Sequence, residues 1–332
     1  MIRALTSLLL TVAAASTTIS CKDESGDDVD WWVAVKAPKG TDYFYGDATV
    51  AFALSTHSMN DTTVGALAHT TRQLWTAPTY VMWNDEPPAQ PIYNFSYGHT
   101  KGYLALDPAT NTGILVSHSI PNFAAGPALV SDYAALGSNA YTYAQNVFCM
   151  SVSATTLNDV AYRLMLTHPH VYDSAVAAGT GGNVTALATG AFANPATCAG
   201  LDFAVGSTMV TVFAKTPAWN ADLWAGCVAP ALRTDLWVES WIRGSAEGAN
   251  CTGGYDVLDV QAVAFTTSSN DGSWTEYNDH SKWAVSPTGE AICFGDINRM
   301  TTQYSRGGAA YCMRDTTFAG VFQAATTETN KC

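Results

Sequence analysis

Three features of the sequence predict a mixed α/β protein with a large core. Of its 332 residues, 48% are hydrophobic and only 13% are charged, a composition typical of globular chains. Runs of apolar, β-branched and aromatic residues predict strands, whereas Ala-rich stretches between them predict helices. One strand–turn–strand layout occurs twice, near residue 100 and near residue 280. A chain of this length forms one large domain or two packed lobes.

The strand and helix patterns suggest where the chain divides. Four apolar runs are typical of strands: Asp30–Val35, Thr208–Ala214, Leu236–Ile242 and Val257–Phe265. Two Ala-rich stretches favour helices: Leu157–Leu166 and Asp222–Leu232. The Gly/Ala-rich segment Ala175–Gly190 has the weakest pattern, and we interpret it as a seam between the halves. We therefore expect an N-terminal lobe over residues 21–175 and a C-terminal lobe over residues 176–332.

The first residues, "MIRALTSLLLTVAAASTTISC", are typical of a secretory signal peptide. Arg3 precedes an apolar run from Ala4 to Ala15, and small residues follow before Cys21. The run is too short for a membrane anchor, so we expect a signal peptide over residues 1–20. This predicts a protein of the secretory pathway, lysosomal or extracellular, with no membrane partner.

Eight cysteines in a secreted chain predict four disulfides. The sequence alone leaves several pairings open. No Cys-x-x-Cys pair indicates zinc, and no acidic or histidine cluster completes a metal site. Four Asn-x-Ser/Thr sites predict glycosylation in a eukaryotic host: Asn60, Asn94, Asn183 and Asn250.

The formal charge of −13 excludes a broadly basic nucleic-acid-binding surface. Protonation of all seven histidines would still leave −6, from −13 plus 7. A polyanionic substrate would therefore have to be attracted by a local site.

Two His-x-Lys motifs supply such a site. "GHTKGYLALD" contains His99 and Lys101, and "DHSKWAVS" contains His280 and Lys282. With seven histidines and seven lysines, chance gives about 0.15 such pairs. Each motif opens a predicted hairpin whose second strand runs on to an asparagine, Asn122 in the first copy and Asn298 in the second. Each hairpin should therefore return its Asn to the strand end that carries the His and Lys.

These residue types suit cleavage of a phosphodiester without a metal ion. Lysine offers a positive charge to a phosphate oxygen, asparagine a neutral N–H donor, and histidine a group that titrates near neutrality. With two facing clusters, one imidazole can attack phosphorus while the other protonates the leaving oxygen. A single pair would be read as a solvated strand end, but two pairs in the same hairpin frame favour catalysis. His118, in "SHSIPN", is either a supporting residue behind the cluster or a core histidine.

Seven stretches of this sequence carry a family resemblance. They are "VDWWVAVKAP", "WNDEPP", "GHTKGYLALD", "LVSHSIPNF", "YAQNVFCMS", "DHSKWAVSPTGEAICFGDINR" and "RGGAAYC". In order and across nearly the whole mature chain, they resemble the deoxyribonuclease II family. The resemblance implies a phospholipase D-like fold, a pseudodimer of two packed α/β lobes in one chain, each supplying one His-x-Lys. It also implies a metal-independent acid endonuclease without a cofactor, which cuts DNA to 3′-phosphate and 5′-hydroxyl ends.

Carried over residue by residue, the resemblance identifies catalytic and supporting positions. His99 and Lys101 match the first motif and His280 and Lys282 the second, with one histidine forming a phosphohistidine and the other acting as general acid. We favour His99 as the nucleophile. Asn122 and Asn298 match the asparagines that follow and are expected to support the phosphate. Apart from the resemblance, His118 and Asp296 are candidates for supporting residues behind the cluster.

The resemblance also implies three disulfides, Cys21–Cys149, Cys251–Cys332 and Cys293–Cys312. Cys198 and Cys227 have no counterpart in the family pattern, and elimination pairs them as the fourth.

Two other functions stay open at this point. The chain could be a phospholipase D-like phosphodiesterase acting on another substrate, although the flanks of both motifs favour the nuclease. It could also be an inactive secreted DNA-binding protein, although the presence of all four His and Lys residues favours an enzyme. For the nuclease, the histidine pair predicts an optimum on the acid side of neutrality. The family resemblance, together with the histidine pKa, narrows this to about pH 4.5–6.

Overall fold

A computed structural model describes residues 18–89, 95–266 and 271–332. The predicted signal peptide lies almost entirely outside the described residues, as does the glycosylation site at Asn94. The predicted mixed α/β class is confirmed, because two large sheets pack together with helices between and around them. No helix in the described part of the chain is long and apolar enough to cross a membrane.

The first sheet has eight antiparallel strands and is preceded by a short ribbon of β1 (Cys21–Lys22) and β2 (Asp28–Val29). Its strands are β3 (Trp31–Lys36), β4 (Asp42–Asp47), β5 (Ala53–Ser58), β6 (Thr79–Asn84), β7 (Lys101–Asp107), β8 (Thr112–His118), β9 (Gln145–Ser151) and β10 (Val171–Ala175). Their order across the sheet is β10-β6-β7-β8-β9-β3-β4-β5. The hairpin of β7 and β8 therefore lies near the centre, covered by neighbours on both sides.

The second sheet is built from the rest of the chain. Its strands are β11 (Cys198–Val205), β12 (Thr208–Lys215), β13 (Leu236–Glu239), β14 (Val257–Thr266), β15 (Asp271–Thr275), β16 (Trp283–Val285), β17 (Ile292–Gly295), β18 (Gly308–Met313) and β19 (Thr326–Thr329). The order is β11-β12-β18-β17-β16-β13-β14-β15, with β19 also paired to β14. Only β13 and β14 pair in parallel among the described strands. The hairpin of β16 and β17 is again central.

The helices are α1 (Ala66–Thr71), α2 (Ala154–Leu166), α3 (Gly182–Ala188), α4 (Ala229–Leu232) and α5 (Thr316–Ala325). The longest, α2, begins at Ser153, whose hydroxyl accepts the Thr156 N–H at 3.0 Å. Its buried side chains recur at the three- and four-residue spacing of a one-sided helix: Leu157, Val160, Ala161 and Leu164. This face packs against strands of both sheets.

One hydrophobic core joins the two sheets. It combines strand residues of both sheets with the buried faces of α2, α3 and α5. Phe148 on β9 and Phe294 on β17 meet across it with ring centroids 5.2 Å apart. Full burial of such a side chain contributes about 1.5–3 kcal/mol, so the packing of the sheets holds the two central hairpins in a fixed relation.

Most predicted elements differ from the observed ones only at their ends, but one expectation needs correction. The predicted helix Asp222–Leu232 is a π-helical turn, Trp224–Val228, continued by the short α4. The segment Ala175–Gly190, read as a weak seam, contains α3, because Val184 and Leu187 are buried there. The chain leaves the first sheet at Ala175 and enters the second at Cys198.

Four disulfides are present: Cys21–Cys149, Cys198–Cys227, Cys251–Cys332 and Cys293–Cys312. Three are the pairs that the family resemblance implied, and Cys198–Cys227 is the pair expected by elimination. Cys21–Cys149 ties the N-terminal ribbon to β9 of the first sheet. Cys293–Cys312 joins residues that face each other on β17 and β18. Every cysteine in the described chain is paired, as four disulfides require.

Candidate active site

The two His-x-Lys motifs meet at the junction between the sheets. The rings of His99 and His280 lie with their centroids 6.5 Å apart. Each histidine is held by its main chain to the opposite half: the His99 N–H donates to the Gly307 carbonyl at 2.8 Å, and the His280 N–H donates to the Ala144 carbonyl at 3.0 Å. Both acceptors stand just before a central strand of the other sheet. The fold thus brings the two motifs into one cluster.

The side chain of each histidine is oriented by a carbonyl of the opposite half. His99 Nδ1 lies 2.5 Å from the Asp296 main-chain oxygen. His280 Nδ1 lies 3.2 Å from the Ser119 main-chain oxygen and 3.2 Å from Gln145 Oε1. Because carbonyl oxygens only accept hydrogen bonds, Nδ1 carries the proton in both rings. In the neutral form, Nε2 of each ring therefore keeps a free lone pair.

The residues that orient the rings occupy corresponding places in the two halves. The Ser119 N–H donates to the Asn146 carbonyl at 3.0 Å, and the Asp296 N–H donates to the Ala309 carbonyl at 3.2 Å. Ser119 follows β8 and Asp296 follows β17, the returning strands of the two hairpins. The halves therefore use the same main-chain pattern to support each other's histidine.

The middle residue of each motif bonds to a carboxylate. His99 and Thr100 directly precede β7, which begins at Lys101. The Thr100 hydroxyl donates to Asp296 Oδ2 at 2.6 Å. In the second motif, Ser281 donates its N–H to Asp279 Oδ1 at 2.7 Å. The middle residue of each motif thus anchors the strand end.

Lys101 belongs to a buried charge cluster. Its ammonium group pairs with Asp85 Oδ1, and Arg306 donates to Asp85 Oδ2 at 2.8 Å. All three side chains are at most 3% exposed. Burial would raise the pKa of Asp85, but Lys101, His99 and Arg306 lower it below its usual value. Asp85 is therefore ionised, and this cluster retains one net positive charge.

Lys282 forms no ion pair with a carboxylate of the described residues. The buried ammonium group of Lys282 donates to the main-chain carbonyl of His280. The main-chain N–H of Lys282 donates to Asn146 Oδ1 at 2.8 Å. Burial and the charge of Lys101 lower its pKa well below the ordinary value. An anion bound beside Lys282 would favour its charged ammonium form and so raise this pKa again.

The same environment keeps both imidazoles uncharged. Burial lowers the pKa of His99 well below its usual value, and the charge of Lys101 adds to the shift. Burial, Lys282 and Lys101 do the same to the pKa of His280. Nearby, burial raises the pKa of Asp296 to about 7. Near pH 7 the empty site therefore holds two neutral rings, and protonation of either needs acid.

A second carboxyl group is buried in the half that contains Lys282. Glu239, at the end of β13, has no hydrogen-bond partner for either side-chain oxygen within the described residues. Burial and the charge of Asp279 raise its pKa well above the usual value. The burial of Glu239 therefore favours its protonated form.

The two asparagines expected at the phosphate are placed differently. Asn122 donates its side-chain N–H groups to the carbonyls of Glu86 at 3.0 Å and Pro87 at 3.3 Å. It thus braces the loop that follows Asp85. Asn298 is 8% exposed and lines a small cavity beside Lys215. A phosphate contact for either residue stays a prediction.

His118 lies fully buried at the end of β8. Its Nδ1 accepts the Ile120 N–H at 3.1 Å, and its ring packs 5.3 Å from that of Phe123. Burial lowers its pKa to about 3. His118 is therefore neutral and fixes the turn that leads from Ser119 to Asn122.

Four residues of the site received no role in the sequence analysis: Asp85, Gln145, Asn146 and Arg306. A signal for each was present, since they lie in "WNDEPP", "YAQNVFCMS" and "RGGAAYC", stretches that carry the family resemblance. Their roles depend on contacts between distant segments, which the stretches themselves do not reveal.

One group of three side chains could share a metal ion in the part of the chain that the structure describes. It consists of Cys251, Asp256 and Cys332. Both cysteines are joined in a disulfide, so their sulfurs are not available as thiolate ligands.

Sequence comparison with known proteins identifies the family that the two His-x-Lys motifs indicate. The family model for deoxyribonuclease II matches residues 20–332. The chain is 31% identical to deoxyribonuclease-2-alpha of Bos taurus, over 93% of this chain and 90% of the relative. It is 29% identical to deoxyribonuclease-2 of Caenorhabditis elegans, over 97% and 96%, and 29% identical to deoxyribonuclease-2-alpha of Mus musculus, over 95% and 94%. With a family match over nearly its whole length and both His-x-Lys motifs in one cluster, this chain belongs to the deoxyribonuclease II family.

Proposed function

We propose that this protein is a metal-independent acid endonuclease that hydrolyses DNA to 3′-phosphate and 5′-hydroxyl ends. The observation that carries the proposal is the meeting of His99 and His280, ring centroids 6.5 Å apart, between two buried lysines. Each ring presents an unprotonated Nε2 when neutral. The ammonium groups of the two lysines can neutralise the phosphate charge, a task that a metal ion performs in other nucleases.

The reaction follows from this arrangement in two steps. Lys101 and Lys282 bind the nonbridging phosphate oxygens. His99 Nε2 attacks phosphorus and forms a P–N bond while the bond to the 5′ oxygen breaks, and protonated His280 gives that oxygen its proton. Water then attacks the phosphohistidine and gives a proton to His280. The P–N bond breaks, which leaves a 3′-phosphate and restores both rings.

The surroundings of His280 favour it as the general acid. Its Nδ1 lies near two acceptors, the Ser119 carbonyl and Gln145 Oε1, each at 3.2 Å. Acceptors for a ring N–H favour the charged imidazole. His99 has one such acceptor, the Asp296 carbonyl, and is the better nucleophile because it stays neutral more readily.

An acid optimum follows from the pKa shifts. The mechanism needs one neutral and one protonated ring, yet burial and the lysines lower the pKa of both below the usual value. Bound phosphate raises the pKa of the ring that it contacts. We expect maximal activity at about pH 4.5–6, on the acid side of the unperturbed histidine.

We also propose that the chain is a phospholipase D-like pseudodimer with lobes over residues 21–175 and 176–332. The support is the repeated bonding pattern, in which Ser119 and Asp296 follow equivalent strands and each supports the histidine of the other half. Four disulfides fit the secretory pathway, and a lysosomal or extracellular location is part of the proposal.

A plasmid-nicking assay at pH 5 in excess EDTA tests the function. We expect cleavage by the wild type and by His57→Ala, a control on strand β5 away from the cluster. The products should accept a 5′-phosphate from a kinase without prior phosphatase treatment. Loss of cleavage in EDTA with rescue by Mg²⁺, or 5′-phosphate products, would contradict the proposal.

A further inference from the structure

An aromatic surface begins at the ring of His280. Trp241, just after β13, lies with its ring centroid 5.4 Å from that of His280 at an interplanar angle of 68°. Tyr143, just before β9, lies 4.7 Å from Trp241 at 75°. Both rings are partly exposed. The surface therefore extends outward from the atoms that the proposed mechanism uses.

Arg243 stands at the centre of this surface. Its guanidinium carbon lies 4.7 Å from the Trp241 ring, 5.3 Å from the Tyr143 ring and 5.7 Å from the Tyr277 ring. It donates to the Tyr277 carbonyl and, at 3.4 Å, to the Tyr143 hydroxyl. No ion pair of Arg243 with a carboxylate occurs among residues 18–89, 95–266 and 271–332. In a chain of charge −13, this exposed cation is free to meet an anion.

Tyr277 supplies the outer face. It is 61% exposed and lies three residues before His280. Sites for single-stranded nucleic acid combine aromatic rings, on which bases stack, with cations that follow the phosphates. Tyr143, Trp241, Arg243 and Tyr277, here called the aromatic–arginine cluster, provide both next to a catalytic histidine.

We propose that the aromatic–arginine cluster binds one unstacked nucleotide adjacent to the cleaved phosphate. Its base stacks on Tyr277, and its own phosphate meets Arg243. The inference rests on the proposed nuclease function. It adds a nucleotide subsite on the His280 side of the site, which should make local opening of the duplex part of substrate binding.

Binding of DNA hexamers, each abasic at one position, tests the subsite. Affinity is measured by fluorescence anisotropy at pH 5 in EDTA, in a His99→Gln background that prevents turnover. Tyr277→Leu should weaken binding of the intact hexamer about five- to tenfold, at the lower end for loss of one stacked base. At one abasic position Tyr277→Leu should have no further effect, because the base that it would lose is already missing. Arg243→Gln should weaken the intact and abasic hexamers alike.

Two variants control for charge and aromatic surface elsewhere. Arg314 is exposed and donates to a main-chain carbonyl, as Arg243 does, and Tyr162 is a 41% exposed tyrosine on α2. Arg314→Gln and Tyr162→Leu should each change affinity less than twofold. Equal effects of Tyr277→Leu on all hexamers, or effects no larger than those of the controls, would overturn the subsite. The wild type would still cleave plasmid in that case, whereas failure of the nuclease proposal would abolish cleavage itself.

Discussion

Removal of the Asp85 carboxylate should destabilise the protein and shift its activity towards lower pH. Both oxygens of Asp85 are used, one by Lys101 and one by Arg306, and all three side chains are at most 3% exposed. Asp85→Asn leaves two cations buried beside each other. Breaking a buried pair in this way costs about 3–5 kcal/mol of unfolding free energy.

The pH dependence of this loss has a defined sign. The pKa of Asp85 is lower in the folded protein than its ordinary value near 3.8, so the stabilisation is fully present above that value. It is lost only as the pH falls through the folded pKa. The difference between wild type and Asp85→Asn should therefore be constant from pH 7 to about pH 5 and should shrink only below about pH 4.

Asp85 also raises the pKa of both histidines. Without it both pKa values fall further, and the pH–rate profile should move to lower pH. Urea unfolding of the non-reduced protein, followed by tryptophan fluorescence, measures stability, and plasmid nicking from pH 3.5 to 8 measures the profile. Asp222→Asn is the matched control, because Arg299 keeps its second partner, Asp259. An unchanged unfolding midpoint, or a profile that moves to higher pH, would refute the reasoning.

Three further predictions concern the two histidines, Glu239 and one disulfide. His99→Ala and His280→Ala should each lower plasmid cleavage at least a thousandfold, about the scale of losing a nucleophile or acid, with little change in melting temperature; near-normal cleavage would remove that ring from the mechanism. Glu239→Gln should have the melting temperature of the wild type at pH 4.5 and a higher melting temperature than the wild type at pH 8. The reason is that the pKa of Glu239 is raised in the folded protein, so this acid destabilises the fold as the pH rises. Equal melting temperatures of the two proteins at both pH values would contradict this. Replacing Cys198 and Cys227 together with Ser should cost about 3 kcal/mol of stability, from a bridge spanning 29 residues, and leave cleavage intact; loss of cleavage in the folded variant would link the bridge to the site.

Much of the secondary structure could be predicted, because strands and turns follow from local patterns of apolar and turn-forming residues. The two hairpins were predictable from apolar runs separated by turn residues. As expected from the motifs that open them, β7 begins at Lys101 and β16 at Trp283, directly after Lys282. The segment Asp222–Leu232 was less predictable, since its composition favours a helix and tertiary packing decided its form. Trp224 is buried there in a π-helical turn, a geometry without a sequence pattern.

By itself the sequence determined which residue types stand at the site, because each His-x-Lys motif opens an apolar run typical of a strand and a hairpin returns the chain to that strand end. The tertiary structure alone decided what surrounds them. The carbonyls of Ser119 and Asp296 orient the rings through main-chain atoms, which leave no mark on the residue type. Asp85 is one of 28 acidic residues and becomes the partner of Lys101 and Arg306 only because the packed sheets exclude water from all three. Burial is the largest cause that lowers the pKa of His99, His280 and Lys282, and burial exists only once the two sheets have met.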